Sequence, residues 1–269
     1  MIISRLIDTL PLLLIYAGTI AIVLFSIVAG IWFGRFWRKR FGEEREEAVD
    51  TVVAAVLALL AFLLAFTVGL TAARFDSRKQ LLLDEVNAIG TTFLRTDFLP
   101  EPHRAEVRRL LKNYVDIRVD MIRNPATAMQ GIKRSEELQE RMWAFAQALS
   151  LADIKNPDIA ALFVESLNEM IDLQTSRVVV ALMYRLPAPM WSALLGITIL
   201  SMISVGYLFG KSEKVNWALI LLLALAFSLV VALIADLDRS GGGKLGVTRI
   251  NQQAMLDLQE RLEARMSKE

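Results

Sequence analysis

The chain has 269 residues, of which 55% are hydrophobic and 22% charged, and its mean hydropathy is +0.45. That is too apolar for an ordinary soluble domain and too charged for a protein wholly in lipid, so composition predicts membrane spans joined to a water-exposed part. A net charge of +1 gives no electrostatic support for binding nucleic acid. With no cysteine and one histidine, His103, disulfides, thiolate catalysis and Cys- or His-rich metal sites are excluded.

In chain order, residues 9–34, 51–73, 186–210 and 215–235 carry no charged side chain. Each reaches the roughly 20 residues that a helix needs to cross about 30 Å of hydrocarbon. Helices are the expected spanning form because they satisfy their own backbone hydrogen bonds. The first run is too long for a cleaved signal peptide, and its basic cluster, Arg38, Lys39 and Arg40, follows the apolar stretch. It reads as a retained span.

The loop after the first span holds Arg35, Arg38, Lys39, Arg40 and Arg45, and the loop between the last two holds Lys211 and Lys214. The other side carries Arg5, Arg74, Arg78, Lys79, Arg239, Lys244 and Arg249. The denser short loops are expected in the cytoplasm, which puts both termini and the central segment outside it. The expected setting is a membrane crossed several times.

Residues 74–185 read as helices punctuated by proline. No stop signal follows the second span, so one helix is expected over 48–98, roughly 75 Å at 1.5 Å per residue. Pro100 and Pro102 end it, and the next helix carries Leu110, Leu111, Val115 and Val119 until Asn124-Pro125. A third helix is expected over 127–150. A fourth starts at Asn156-Pro157-Asp158 and continues to Arg185. The expected fold is therefore all-α: a polytopic membrane protein with four transmembrane helices and an extramembrane four-helix bundle between the second and third. Its divisions are spans one and two at 1–73, the bundle at 74–185, spans three and four at 186–236, and a tail at 237–269. The tail carries an amphipathic helix with Met255, Leu258, Leu262 and Met266 on one face.

Several residues stand out against this frame. On the long helix Leu82, Val86, Ile89 and Phe93 form an apolar stripe, and Arg74, Arg78 and Glu85 fall on the same face. Charges there require partners; they form either a satisfied ion-pair network or a gate or ligand site. Arg185, Asp236, Asp238 and Arg239 cluster with Arg74 and Arg78 at one membrane boundary, as a pore mouth in an oligomer or as mutually paired, snorkelling side chains. On the fourth bundle helix Phe163, Val164, Leu167, Ile171, Val178, Gln174 and Arg185 share the inner side. Glu165, Glu169 and Asp172 share the opposite one, as a solvated patch, a cation site or a subunit contact. In the second span Ala54, Ala58, Ala61, Ala65, Gly69 and Ala72 form a small-residue stripe, suited to close helix packing or to lining a pore. No span contains an ionisable side chain, which argues against a proton pump or ion-coupled transporter. No GxSxG, P-loop, HExxH or kinase signature is present, Gly241-Gly242-Gly243 reads as a linker, and His103 as a helix-end residue. The chain is expected to be no enzyme and to carry no cofactor or metal.

Three stretches resemble one family. They are Arg74-Phe75-Asp76-Ser77-Arg78 with Asp84-Glu85-Val86-Asn87 through Gly90 to Leu94-Arg95; Leu167-Asn168-Glu169 with Asp172, Arg177 and Arg185-Leu186-Pro187; and Asp236-Leu237-Asp238-Arg239 with Val247 to Gln253 and Met255-Leu256-Asp257. Over nearly its whole length the chain is similar to the bacterial bestrophin-like membrane proteins, a family of unknown function. Members usually place a proline soon after the aspartate-arginine step, where this chain has Ser240-Gly241-Gly242-Gly243. The resemblance implies likeness to bestrophins, pentameric anion channels with four spans and a large helical cytosolic part. Their aromatic neck has no counterpart in the alanine-rich second span. Their cytosolic domain also conflicts with the charge distribution, which is followed here because the analogy is at fold level.

Two functions are expected from these features. One is an oligomeric channel or pore for small ions, for which the bestrophin likeness implies anions. The other is a non-channel sensor or scaffold acting through the helical domain, with the continuous span-to-bundle helix as its relay. Membrane lipid and further copies of the chain are the expected partners, with small ions passing.

Overall fold

The computed structural model describes residues 10–41, 46–151, 157–211, 215–239, 248 and 250–268. Gly241-Gly242-Gly243, and Arg5, Arg45, Lys214, Lys244 and Arg249 of the charge distribution, lie outside them. The described helices are α1 Leu12–Phe41, α2 Glu46–Arg95, α3 His103–Arg123, α4 Ala128–Leu151, α5 Pro157–Leu182, α6 Ala188–Lys211, α7 Trp217–Asp238 and α8 Gln253–Met266. No strand occurs among the described residues. Two compact units form: Met1–Phe75 with Tyr184–Arg249, and Asp76–Met183 with Ile250–Glu269.

The first unit contains α1, the apolar half of α2, α6 and α7, all long and apolar enough to cross a membrane. The chain is a multi-pass membrane protein. Asn216 starts α7 as an N-cap, its side-chain oxygen accepting from Ala218 N at 3.1 Å and Leu219 N at 3.3 Å. Helices α1 and α6 pack closely, and glycine makes it possible. A Cβ added to Gly30 would stand 2.1 Å from the Ile203 carbonyl oxygen, and one on Gly206 would stand 2.1 Å from that of Ile27. Gly34 and Gly210 repeat the arrangement one turn on, each 2.6 Å from a carbonyl oxygen of the facing helix. Both helices thus carry Gly-x-x-x-Gly at the crossing, the spacing that lets backbones touch where lipid offers no hydrophobic drive between helices. Val23, Ile27, Leu60, Leu64, Trp191, Met202, Ile220 and Ile234 fill the surrounding core.

The second unit packs the remainder of α2 with α3, α4, α5 and α8 around Phe93, Leu111, Tyr114, Met142, Phe163 and Met170. The amphipathic helix expected in the tail is α8, and its Met255, Leu258 and Leu262 are buried in this core. Polar pairs secure it from outside: Gln259 Nε2 donates to Asp116 at 2.7 Å, and Lys112 lies 3.2 Å from Glu263.

Two helix ends differ from the sequence expectation. The α-helical part of α2 stops at Arg95, and residues Thr96–Phe98 tighten into a 3-10 turn that Leu99 N closes on Thr96 O at 2.9 Å. Pro100 and Pro102 then prevent continuation. Helix α5 ends at Leu182 rather than reaching Arg185. Pro187 disfavours helical backbone at Leu186, whose N–H instead donates to the Asp238 carboxylate at 2.8 Å. Arg185 therefore does not share the buried helix face of Phe163, Leu167 and Gln174.

Candidate functional site

Within the apolar half of α2, Val53, Leu60, Leu64, Thr67 and Thr71 are buried. Ala54, Ala58, Ala61, Ala65 and Gly69 are exposed and Ala72 half-exposed. A Cβ added at Gly69 would meet nothing within 4 Å. The small-residue stripe is therefore not a packing seam inside one chain. Phe62 and Phe66 stand exposed beside it, stacked with centroids 6.5 Å apart.

The ionisable residues separate into two groups. In the second unit Glu85 is fully buried. Its Oε1 accepts from Tyr114 Oη at 2.6 Å, and its Oε2 accepts from Arg118 Nη2 at 3.0 Å and from Arg177 Nη1. Gln139 Nε2 donates to Gln174 Oε1 at 2.6 Å, and the Tyr114 hydroxyl oxygen lies 3.0 Å from that same oxygen. Helices α2, α3, α4 and α5 each contribute to this network. Burial by itself would push the Glu85 carboxyl up, but the two guanidiniums and the tyrosine hydroxyl hold it below the usual carboxylate range. Burial and the Glu85 charge together push the Tyr114 phenol well up, so it remains a donor. Arg177, by contrast, is lowered, because burial outweighs the help it draws from Glu85. Arg78 is also buried, on the same face of α2 two turns earlier, yet the partners of Glu85 come from α3 and α5.

In the first unit Asp236, Asp238 and Arg239 are buried at the end of α7 and bind backbone. Asp238 accepts from Leu186 N and, at 3.4 Å, from Trp191 Nε1. Asp236 accepts from Thr248 N at 2.8 Å and Thr248 Oγ1 at 2.5 Å. Arg239 Nη2 donates to Leu10 O at 2.6 Å. The three charges thereby clasp the start of α1, the start of α6 and the segment after α7. Arg74 and Arg185 are half-buried.

Glu165, Glu169 and Asp172 are exposed on α5. Glu165 lies 3.6 Å from Arg95, and Asp172 accepts from Asn168 Nδ2 at 3.2 Å. Among the described residues no group of acids and histidine is arranged to hold a metal. His103 opens α3 half-buried, its ring edge-on to Phe145.

Arg118, Tyr114 and Gln139 are the network members that the sequence reading did not single out, and Arg177 figured there only in the family resemblance. Their signal was present: Tyr114 and Arg118 are four apart on α3, a spacing that puts both on one helix face. The Gly-x-x-x-Gly pairs of α1 and α6 were equally visible and passed over for the alanine stripe.

Four apolar helices and a helical bundle with a buried carboxylate-guanidinium centre define an all-α polytopic membrane protein. The model of the Bestrophin-like domain matches residues 20–251. The chain belongs to the Bestrophin-like family. It is similar in fold to solved structures of a bacterial bestrophin homologue from Klebsiella pneumoniae. One variant matches at 14% identity and TM-score 0.65, covering 94% of this chain and 98% of that one. Another matches at 14% identity and TM-score 0.63, covering 96% and 99%. A structure described as a membrane protein matches at 17% identity and TM-score 0.62, covering 93% and 97%. No curated protein matches the chain.

Proposed function

We propose that the chain assembles with copies of itself into a membrane channel for small ions, with the apolar half of α2 near the axis. The observation that carries this reading is the exposed stripe Ala54, Ala58, Ala61, Ala65 and Gly69, backed by a buried face of the same helix. Small side chains leave room along an axis, and a wall without ionisable groups lets ions pass without trapping them. Membership of the Bestrophin-like family and the likeness to a bestrophin homologue support the same reading. Of the charges read as a pore mouth, Asp236, Asp238 and Arg239 act as end clasps, which leaves Arg74, Arg78 and Arg185 as the boundary candidates. Purified protein in planar bilayers is expected to pass current, and Ala61→Trp or Ala65→Trp to reduce it. Silence across a range of salts and pH sinks the channel, and reversal potentials in salt gradients assign the sign of the ion.

The second reading is a sensor or scaffold, favoured by α2 as one unbroken helix of 50 residues. Subunit number separates the two: a ring of four or more supports a pore, a dimer supports a sensor. The location proposed is a bacterial inner membrane with the bundle outside the cytoplasm. The chain has no cysteine, so single cysteines introduced at exposed bundle positions report that side by impermeant labelling.

A further inference from the structure

The buried centre of the second unit is unbalanced in charge. Glu85 meets two guanidiniums, and among the described residues it is the one carboxylate that either of them pairs with. Arg118 is 6% exposed and Glu85 0%, so their charges are removed from water; Arg177 retains 19% exposure. The remaining members, Tyr114, Gln139 and Gln174, are neutral, and the Gln174 oxygen already accepts from Gln139. One positive charge is left over where solvent screens poorly, a costly arrangement unless a counter-charge approaches. Arg108 on α3 is buried as well, but it has its own carboxylate in Asp97, which Arg118 and Arg177 do not share. The acids Glu165, Glu169 and Asp172 lie outside.

Arg177 is the guanidinium with room to act. Its Nη1 donates to Glu85, and among the described residues its Nη2 and Nε donate to nothing. It is also the member that burial leaves under-compensated, whereas Arg118 is raised, the pull of Glu85 outweighing its burial. A guanidinium fork with two adjacent nitrogens at a partly open edge matches two oxygens of an oxyanion better than a spherical halide.

We propose that Arg177, backed by Arg118 and Glu85, is a binding site for a small inorganic oxyanion of the phosphate class on the helical bundle.

The test uses the full chain in detergent and inorganic phosphate as the probe. Equilibrium dialysis of labelled phosphate is expected to show saturable binding at one site per subunit, with chloride a weak competitor. The unfolding temperature should rise with phosphate concentration and go on rising with its logarithm above the dissociation constant, as for a ligand bound to the native state alone. Arg177→Met should weaken binding at least about tenfold, the loss of a charge-assisted fork, and flatten the thermal response. Arg177→Lys keeps the charge and loses the fork, so it should bind in between; it also serves if the methionine variant fails to fold. Absence of saturable binding in the unsubstituted chain overturns the proposal, as does Arg177→Lys binding phosphate as tightly as the parent. Current in bilayers that persists in Arg177→Lys separates this site from the channel reading.

Discussion

The two units solve the same packing problem with opposite means. In the membrane unit α1 and α6 approach until a Cβ on Gly30 or Gly206 would stand 2.1 Å from a facing carbonyl oxygen, and the charges at the end of α7 are spent on backbone groups. In the bundle unit the helices stand apart far enough for Tyr114, Met142 and Phe163, and a carboxylate with two guanidiniums occupies the middle. The difference follows from the surroundings. Lipid gives no hydrophobic gain for helix contact, so contact has to come from close backbone packing. Water does give that gain, and the bundle can hide a polar centre behind large side chains.

Substitutions can break this comparison on either side. The largest loss is expected for Glu85→Ala, which leaves Arg118 and Arg177 without a carboxylate; breaking a buried pair costs about 3–5 kcal/mol. Loss of cooperative unfolding of the bundle, followed by circular dichroism or limited proteolysis, is the measurement, and native stability would refute the network's role. Next come Gly30→Ala and Gly206→Ala, where the new methyl collides with a carbonyl oxygen of the facing helix; overpacking costs about 1–3 kcal/mol, and more against backbone. Gly18→Ala and Gly196→Ala, which meet nothing within 4 Å, are the controls expected to keep the parent melting temperature in detergent. Asp238→Ala strands the Leu186 and Trp191 donors, worth about 1–3 kcal/mol for a buried group left unpaired. The smallest effect is expected for Gly69→Ala, near zero on stability, because that face is open.

Acid sharpens the comparison further. Glu85 has a folded-state pKa below its unfolded value of about 4.3. Its contribution is complete above the unfolded value and lost as pH falls through the lower folded one. The bundle should keep its stability from neutral pH to about pH 5 and lose it below the unfolded carboxylate value. The α1–α6 glycine crossing contains no titrating group and should not respond. A thermal melt that splits into an acid-sensitive and an acid-insensitive transition would display both behaviours in one protein.

Local sequence made the elements legible. Uncharged runs beyond the length of a membrane crossing marked the four spans, prolines at positions 100, 102, 125 and 157 marked the bundle helices, and the face of Leu82, Val86, Ile89 and Phe93 marked the side of α2 that is buried. The ends were less legible, because Leu186 leaves its helix for the Asp238 carboxylate, and that partner stands 52 residues away. Glu85 was conspicuous as a charge on an apolar stripe, but its partners were not. Arg118 is 33 residues distant and Arg177 is 92 residues distant, and no local period connects them.

What the sequence alone determined is where the chain prefers lipid and where it prefers water, since both follow from the transfer free energy of neighbouring side chains taken one segment at a time. Only tertiary structure decided which glycines meet, which arginines share Glu85, and which backbone groups the aspartates at the end of the fourth span bind. Those outcomes depend on which surfaces come within hydrogen-bond and van der Waals range, a property of pairs of segments that no single segment contains.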